Sequence, residues 1–235
     1  MTITNVGDET VGISLRFNSL VNTTPPIIYY NKTGKKNYKK WDLSEIKLDK
    51  GNTLYLFGEN AVIDSTFVVN GNSLIHLDGK LEALCYNKVL GNSTFKGLFQ
   101  NVVQLVSVGD VMPNTDTIKT SNPNLISIYE SLFEGTNIEE IPAGFIKETR
   151  SMNWAQGSMY SRMFANCLSL RIIPQDLLKG QTGNGYGSYV EMFLNCEVLE
   201  VAADIYLSTQ GFRTCIGMYQ NCKKITEVTV YTTQM

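Results

Sequence analysis

Residues 1–94 show short apolar runs separated by turn residues. The runs are rich in Val, Ile, Thr, Tyr and Phe, which favour strands, and polar turn pairs such as Asn70-Gly71 separate them. Several short strands at this spacing predict an antiparallel sandwich or a small barrel. We therefore interpret 1–94 as an all-β, sandwich-like module, with predicted strands at 11–17, 27–30, 53–57, 66–69 and 74–77.

After residue 94 one pattern recurs, and an aromatic residue anchors each copy. The clearest copies are MYSRMFANCLSLRIIP at 159–174, YVEMFLNCEVLEVA at 189–202 and CIGMYQNCKKITEV at 215–228, and weaker copies lie at 94–108 and 128–142. The anchors are spaced by 34, 31, 29 and 26 residues, and they are Phe99, Phe133, Phe164, Phe193 and Tyr219. A period of this size indicates an array of about five stacked units over residues 95–235.

The copy at 159–174, the third along the chain, predicts a unit made of a helix, a turn and a strand. Its apolar residues lie at i, i+3, i+4 and i+7, which is one face of a short helix, and they are Tyr160, Met163, Phe164 and Cys167. The apolar residues at 170–173 then fit a short strand. Together with the β-rich first module, this unit predicts the α+β fold class for the chain.

A unit this small cannot bury its own apolar face, so we expect each copy to stack on the next. Equivalent side chains then form ladders, with aromatic on aromatic and cysteine on cysteine. The predicted repeat core consists of Phe99, Phe133, Phe164, Cys167, Phe193, Cys196, Tyr219 and Cys222. The last strand, predicted at 225–231, would offer an open edge, and we expect another protein or another copy of the chain to cover it.

The phrase MF-x-N-C-x-x-L-x-x-I-P, which begins at Met163, resembles the BspA-type leucine-rich repeats. Such repeats are common in surface proteins of gut bacteria and occur in the bacteriophages that infect them. The first module is similar to the β-rich segment that often precedes these repeats, notably at 28–30, Trp41 and 54–58. The resemblance implies a short, irregular leucine-rich-repeat solenoid after residue 94. The repeats here are longer than the common range of roughly 20 to 29 residues.

The composition excludes several classes of protein. Charged residues make up 18% of the chain and the net charge is -2, so the basic excess that nucleic-acid binding requires is missing. No stretch approaches the roughly 18 apolar residues of a transmembrane helix. The polar start MTITNVGDET lacks the basic and apolar regions of a secretory signal. We expect neither a nucleic-acid partner nor a membrane span.

Five cysteines and one histidine are the residues from which a metal or catalytic site would be built. Cys167, Cys196 and Cys222 hold the same place in successive copies, which fits a metal site, disulfides or a buried ladder. The ladder is favoured, because zinc ligands usually come in close pairs. His76 would be a general base with Asp78 or an ordinary strand residue, and base rates favour the latter. We expect no catalytic residue, no metal and no cofactor.

A cluster of lysines with two aromatic residues is the most specific surface candidate. It comprises Lys35, Lys36, Tyr38, Lys39 and Trp41. One interpretation is a binding patch for an anionic glycan, a nucleic acid or an acidic protein. The alternative is a solvated hairpin tip with Trp41 tucked into the sheet, and it is favoured because charge runs are usually solvated faces.

The chain shows no catalytic constellation, so we expect a non-enzymatic structural and interaction protein. Stacked repeats build long, rigid surfaces that suit binding. The resemblance implies a bacteriophage virion component, such as a capsid decoration, head-fibre or tail-associated protein. Its β-rich module would dock on the particle, and its repeats would bind other virion or surface proteins, or host glycans. The alternatives are a bacterial cell-surface adhesin fragment and, more remotely, a carbohydrate-active enzyme.

Overall fold

Short β-strands and runs of tight turns make up the described part of the chain. The computed structural model describes residues 1–17, 25–35, 37–59, 63, 65–85, 89–90, 92–113, 119–120, 127–146, 158–180, 188–208 and 215–233. Within these residues the one helical element is a 3₁₀-helix, η1 (Leu81–Leu84). The fold is therefore β-rich, and the α+β class expected from the sequence is wrong.

The strands are short and lie mostly in the first half of the chain. Each of the five predicted strands overlaps an observed one, with bounds that differ by no more than one residue. The strands are β1 (Thr2–Asn5), β2 (Val11–Phe17), β3 (Ile28–Asn31), β4 (Lys39–Lys40), β5 (Ile46–Leu48), β6 (Thr53–Gly58), β7 (Ser65–Asn70), β8 (Ile75–Asp78), β9 (Val89–Leu90), β10 (Leu105–Val108), β11 (Lys119–Thr120), β12 (Ile205–Ser208) and β13 (Val230–Thr233).

Two sheets of the N-terminal part share one hydrophobic core. The six-stranded sheet has the order β10-β8-β1-β6-β3-β4, and the three-stranded sheet has the order β5-β2-β7. Side chains alternate between core and solvent along a strand, as in β6, where Leu54 and Leu56 are buried and Phe57 is exposed. Ile3 of the first sheet and Ile13 of the second belong to the same buried cluster, so the two sheets stabilise each other.

From residue 92 onward, the described residues include five runs of consecutive turns that contain the anchoring aromatic residues, and we call these runs layers 1 to 5 (92–102, 127–136, 158–167, 188–196 and 215–222). Residues with positive φ lie four apart in each run, and in layer 3 they are Ser158 (44°), Arg162 (56°) and Asn166 (60°). A left-handed residue interrupts the i→i−4 hydrogen bonds of an α-helix. The helix predicted over 160–167 is therefore absent, and the observed unit is not the helix, turn and strand of the expected leucine-rich-repeat solenoid.

Main-chain hydrogen bonds tie each layer to the next. Within layer 1 the N–H of Leu98 donates to the carbonyl of Phe95, three residues earlier (3.2 Å). The N–H of Phe99 instead leaves the layer and donates to Leu132 of layer 2 (3.0 Å). The same alternation joins layers 2 to 5. Each layer thus has N–H donors on the side of the next layer and carbonyl acceptors on the side of the previous one.

Two stacks of aromatic rings run through the layers. In the first, ring centroids are 4.9 to 5.8 Å apart and interplanar angles are 2 to 16°, and its members are Phe67, Phe99, Phe133, Phe164, Phe193 and Tyr219. In the second, centroids are 5.5 to 6.0 Å apart, and its members are Phe95, Tyr129, Tyr160 and Tyr189. Stacked pairs add about 0.5–1.5 kcal/mol each beyond the burial of their area. The layers are therefore stabilised as one unit.

Strand β7 closes the N-terminal end of the layers. The N–H groups of Ile63, just before β7, and of Phe67 donate to the carbonyls of Thr94 (3.1 Å) and Leu98 (2.8 Å) of layer 1. Strand β10, which follows layer 1, pairs with β8 and forms an edge of the six-stranded sheet. Hydrogen bonds and one continuous core therefore cross the module boundary predicted at residue 94.

Parallel pairing joins segments that lie outside the layers. β9 pairs with β11 and β12 pairs with β13, both in parallel, and an isolated bridge joins Glu140 to Ile172. The sequence predicts that the last strand begins near residue 225, but in the structure it begins at Val230. Among the described residues β13 pairs with β12 alone, so its other side is an open edge.

Candidate functional site

The lysine cluster expected at 35–41 lies at the edge of the six-stranded sheet. β4, which contains Lys39 and Lys40, is the edge strand, and Tyr38 precedes it with 43% of its surface exposed. Lys35 is also exposed, whereas Lys36 lies outside the described residues. Lysines on an edge strand discourage pairing with other strands, so those of β4 protect the sheet whether or not they bind a ligand.

Trp41 lies in the core, which corrects its assignment to the binding patch. Its exposed fraction is 3%, and its indole N–H donates to the carbonyl of Ser44 (2.7 Å). Its ring lies 6.3 Å from that of Phe67, the first ring of the longer stack. A buried indole whose N–H has a partner is a satisfied core residue. The neighbouring Lys40 is exposed, so proximity in sequence does not place the two side chains on one surface.

Three aromatic rings at this edge form a cluster that the sequence does not reveal. Phe57 lies between Tyr29 and Tyr38, at centroid distances of 6.2 and 6.4 Å. These residues meet because β3 pairs with both β4 and β6. We call Tyr29, Tyr38, Phe57 and Lys40 the edge cluster. Lys39 is not included, because its partner in the register is Tyr30 and it therefore points to the other face of the sheet. Exposed rings beside an ammonium group suit an anionic partner that also offers apolar or sugar faces.

The predicted repeat-core residues lie inside the stack of layers. All are fully buried except Tyr219 and Cys222, which belong to layer 5 and keep some exposure. The cysteines are free thiols, so the disulfide interpretation is wrong. Each ladder thiol donates to the anchoring aromatic residue of the preceding layer, as Cys196 does to the carbonyl of Phe164 (3.1 Å). A small apolar group that is also a weak donor fits this slot.

Burial keeps the ladder thiols protonated at neutral pH. It raises the pKa of Cys167 and of Cys222 to about 11, and it also raises the pKa of Cys196. The thiolate is both the nucleophile and the metal ligand, so these side chains are poorly suited to either role. Among the residues that the structure describes, no three His, Cys, Asp or Glu side chains come together in a way that could hold a metal ion.

His76 is held by a neighbouring strand. Its Nδ1 lies 2.8 Å from the hydroxyl oxygen of Ser107, across the parallel pair of β8 and β10. Asp78 accepts a hydrogen bond from the main chain of Gly79 (2.7 Å). A catalytic pair of Cys85 with His76 would need the Cys85 thiolate. Burial raises the pKa of Cys85 to about 12, which disfavours that thiolate. The geometry therefore gives His76 a structural role between two strands.

Three carboxylates near the C-terminal layers line an open cleft, and they belong to Glu200, Asp204 and Glu227. Glu200 lies 3.4 Å from both Arg171 and Lys224, and Asp204 accepts a hydrogen bond from the Gln175 amide (3.1 Å). A glycosidase pair needs one carboxyl group that can act as an acid and one that is free to act as a base or nucleophile. Of the three, Glu200 and Asp204 instead have partners that link successive turns of the chain.

A charged column runs along the outside of layers 2 to 4. Arg162 of layer 3 donates to Glu134 of layer 2 through Nε (3.3 Å) and Nη2 (2.5 Å), and to Glu191 of layer 4 through Nη1. Burial acts to raise the pKa of Glu134, but the hydrogen bonds from Arg162 and its neighbours outweigh it and hold the pKa below its ordinary value. One guanidinium thus links three layers.

Replacing Arg162 by alanine should lower the free energy of unfolding by about 1–2 kcal/mol, because Glu134 would stay largely buried without its cation. Urea denaturation at neutral pH measures the change. Lys223→Ala is the control, since the pair of Lys223 with Glu197 (2.7 Å) is exposed on both sides. That substitution should cost less than about 0.5 kcal/mol. Equal losses would mean that the column does not hold the layers together.

Comparisons with known proteins do not identify a function, so any assignment depends on the geometry of the structure. No protein-family model matches the chain, and neither a curated protein nor a solved structure matches it. Within the described residues, no helix has the length and apolar character needed to cross a membrane. The features that remain are the rigid stack of layers, the edge cluster at one sheet edge and the end of the stack at layer 5.

Proposed function

We propose that the chain is a non-enzymatic structural and interaction protein of a bacteriophage virion, such as a capsid decoration, head-fibre or tail-associated protein. The observation that carries this proposal is the unbroken stack from β7 to layer 5, joined at every step by main-chain hydrogen bonds and ring contacts. Stacked units of this kind are rigid and present extended surfaces. Such a stack suits a particle component that must hold a binding surface in a fixed position.

The side chains that could carry out chemistry are already held by hydrogen bonds within the protein, which supports a binding role. The ladder thiols are buried and donate to carbonyls, and His76 is hydrogen-bonded to Ser107. The resemblance of the repeats to the BspA type supports an origin among gut bacteria and their phages. In this proposal the β-rich N-terminal part docks on the particle, and the edge cluster and the end of the stack contact proteins or host glycans.

A bacterial cell-surface adhesin fragment is the second candidate. The exposed rings of the edge cluster favour it, because aromatic side chains beside a few polar groups are a common lining of ligand sites. In this alternative the same surface binds a glycan or a surface protein outside the cell. The two candidates differ in where the protein is found and not in how the chain is built.

The location of the protein distinguishes the two candidates. We expect quantitative mass spectrometry of purified phage particles, from the culture that carries the gene, to recover the chain in a fixed ratio to the major capsid protein. Recovery from the envelope fraction of uninfected cells would support the adhesin instead. Absence from both fractions would overturn both proposals.

A further inference from the structure

Within the described residues the C-terminal end of the stack is open, although the earlier interfaces between layers are closed. In layer 4 the N–H groups of residues 191, 193 and 195 each donate to a carbonyl of layer 5 at 2.9 Å. The equivalent N–H groups of layer 5 belong to Gly217, Tyr219 and Asn221, and none has an acceptor within the described residues. We call these three residues, with the adjoining Ile216, the terminal face.

Side chains of the terminal face continue the same unfinished pattern. Tyr219 stacks on Phe193 (5.4 Å, 2°), and among the described residues no ring lies on its other side. Asn221 donates to Asn195 (2.7 Å), as Asn195 does to the layer before it, and no donor from the described residues reaches the Oδ1 of Asn221. Ile216 is 55% exposed. The face therefore offers main-chain donors, a flat ring and an amide acceptor to whatever covers it.

The direction of the hydrogen bonds decides which partner fits. A two-fold contact between two terminal faces would place N–H groups against N–H groups. A head-to-tail contact would need the carbonyls of layer 1, but β7 lies against this side of the layer, and Ile63 and Phe67 already donate to the carbonyls of Thr94 and Leu98. The stack of a second copy therefore cannot cover the face without first opening its own N-terminal end. A second copy would also offer the open edge of β13, but the ring of that strand, Tyr231, already stacks on Tyr206 (5.0 Å). We therefore take the occupant to be a segment of a different polypeptide.

Strand β7 provides the example of a segment that ends this stack. It is extended, its main chain bonds to layer 1, and the ring of Phe67 lies 4.9 Å from that of Phe99 at 4°. The edge of a strand presents carbonyl groups as well as N–H groups, so an extended segment also supplies acceptors. We propose that the terminal face binds an extended, β7-like segment of a different protein, which places an aromatic ring on Tyr219 and carbonyls against the three N–H groups.

This inference deepens the proposed function, on which it rests, because it names the kind of segment that the interaction protein binds. The two fail separately. A chain found in neither phage particles nor cell envelopes would remove the proposed function and would leave binding at the terminal face unchanged. Loss of the binding described next would remove the terminal-face assignment and leave the location of the protein unchanged.

A peptide with the sequence of β7 tests the assignment on the intact chain. The probe is blocked STFVVN (Ser65–Asn70), and the control is the same peptide with Phe67→Ala. In the free protein, the amides of Gly217, Tyr219 and Asn221 should exchange hydrogen at least about tenfold faster than those of layer 4. STFVVN should slow the three amides, and the control peptide should bind at least about tenfold more weakly, since it lacks the ring.

Two matched substitutions then locate the contact. Ile216→Glu places a charge on the terminal face and should weaken STFVVN binding at least about tenfold. Leu168→Glu, at a position 58% exposed and two layers away, should leave binding unchanged. The proposal is overturned if the peptide gives no protection, if both peptides bind equally, or if the three amides are already protected in the free monomer. A dimer with these amides protected would make a second copy the occupant and would also overturn it.

Discussion

Replacing Phe164 by alanine should lower the free energy of unfolding by about 3–5 kcal/mol. The ring is fully buried and stacks on both sides, 5.6 Å from Phe133 and 5.7 Å from Phe193. It also lies 6.0 Å from Phe145. Hydrogen bonds hold the layers at a fixed spacing, so the surroundings cannot collapse into the cavity that alanine leaves. Chemical denaturation followed by circular dichroism measures the loss.

Leu168 provides the matched control for this substitution. It lies four residues after Phe164 and is 58% exposed, so Leu168→Ala should change the free energy of unfolding by less than about 0.5 kcal/mol. Phe164→Leu should cost less than Phe164→Ala, because the leucine side chain fills part of the cavity. Similar, small effects of all three substitutions would contradict a shared, dry stack of rings.

The register of the ring stack could be predicted because the spacing of the anchors records it. Phe133, Phe164 and Phe193 recur at similar intervals within similar sequences, which identifies them as equivalent whatever backbone conformation surrounds them. A short unit cannot bury an aromatic ring alone, so equivalent rings must meet. In the structure they lie on one another with interplanar angles of 4 to 16°.

The backbone conformation of the layers could not be predicted from the same pattern. A turn that repeats every four residues places residues i and i+4 on one side, and an α-helix nearly does the same, so Tyr160 and Phe164 fit both. The residues with positive φ are the feature that would distinguish the turns from a helix. Gly135 and Asn166 are residue types that tolerate a positive φ. Arg162 is not such a type. Arg162 is held in this conformation by ion pairs with Glu134 and Glu191 of the neighbouring layers, and the local sequence does not reveal these partners.

The candidate surface was predictable where it depends on local charge and not where it depends on strand register. A run of lysines indicates solvent, and Lys35 and Lys39 are exposed as expected. Trp41 follows the same run but fills the core, because its packing partner Phe67 lies on a distant strand. Phe57 joins the edge cluster through the pairing of β3 with β6. Long-range pairing of this kind is not visible in one sequence.

Raising the pH from 9 to 11 should destabilise the protein by about 2 kcal/mol through Cys167 alone. Burial raises the pKa of this thiol from 9.0 to about 11. Well below pH 9 the thiol is protonated in the folded and the unfolded chain, and its contribution to stability is fully present. At higher pH the unfolded chain ionises first, so stability falls by about 1 kcal/mol per pH unit between pH 9 and 11, until the folded thiol also ionises. Cys85, with a pKa raised by burial to about 12, acts in the same direction.

The variant Cys167→Ala isolates this contribution. Alanine also removes the hydrogen bond from the thiol to the carbonyl of Phe133 (3.2 Å), so the variant is less stable at neutral pH and the slopes are compared instead of the levels. Urea unfolding across this pH range should give a slope about 1 kcal/mol per pH unit shallower for the variant. Equal slopes would mean that the folded chain ionises Cys167 at its ordinary pKa. Water would then reach the slot between layers 2 and 3, and the layers would not exclude it as the stacked rings imply.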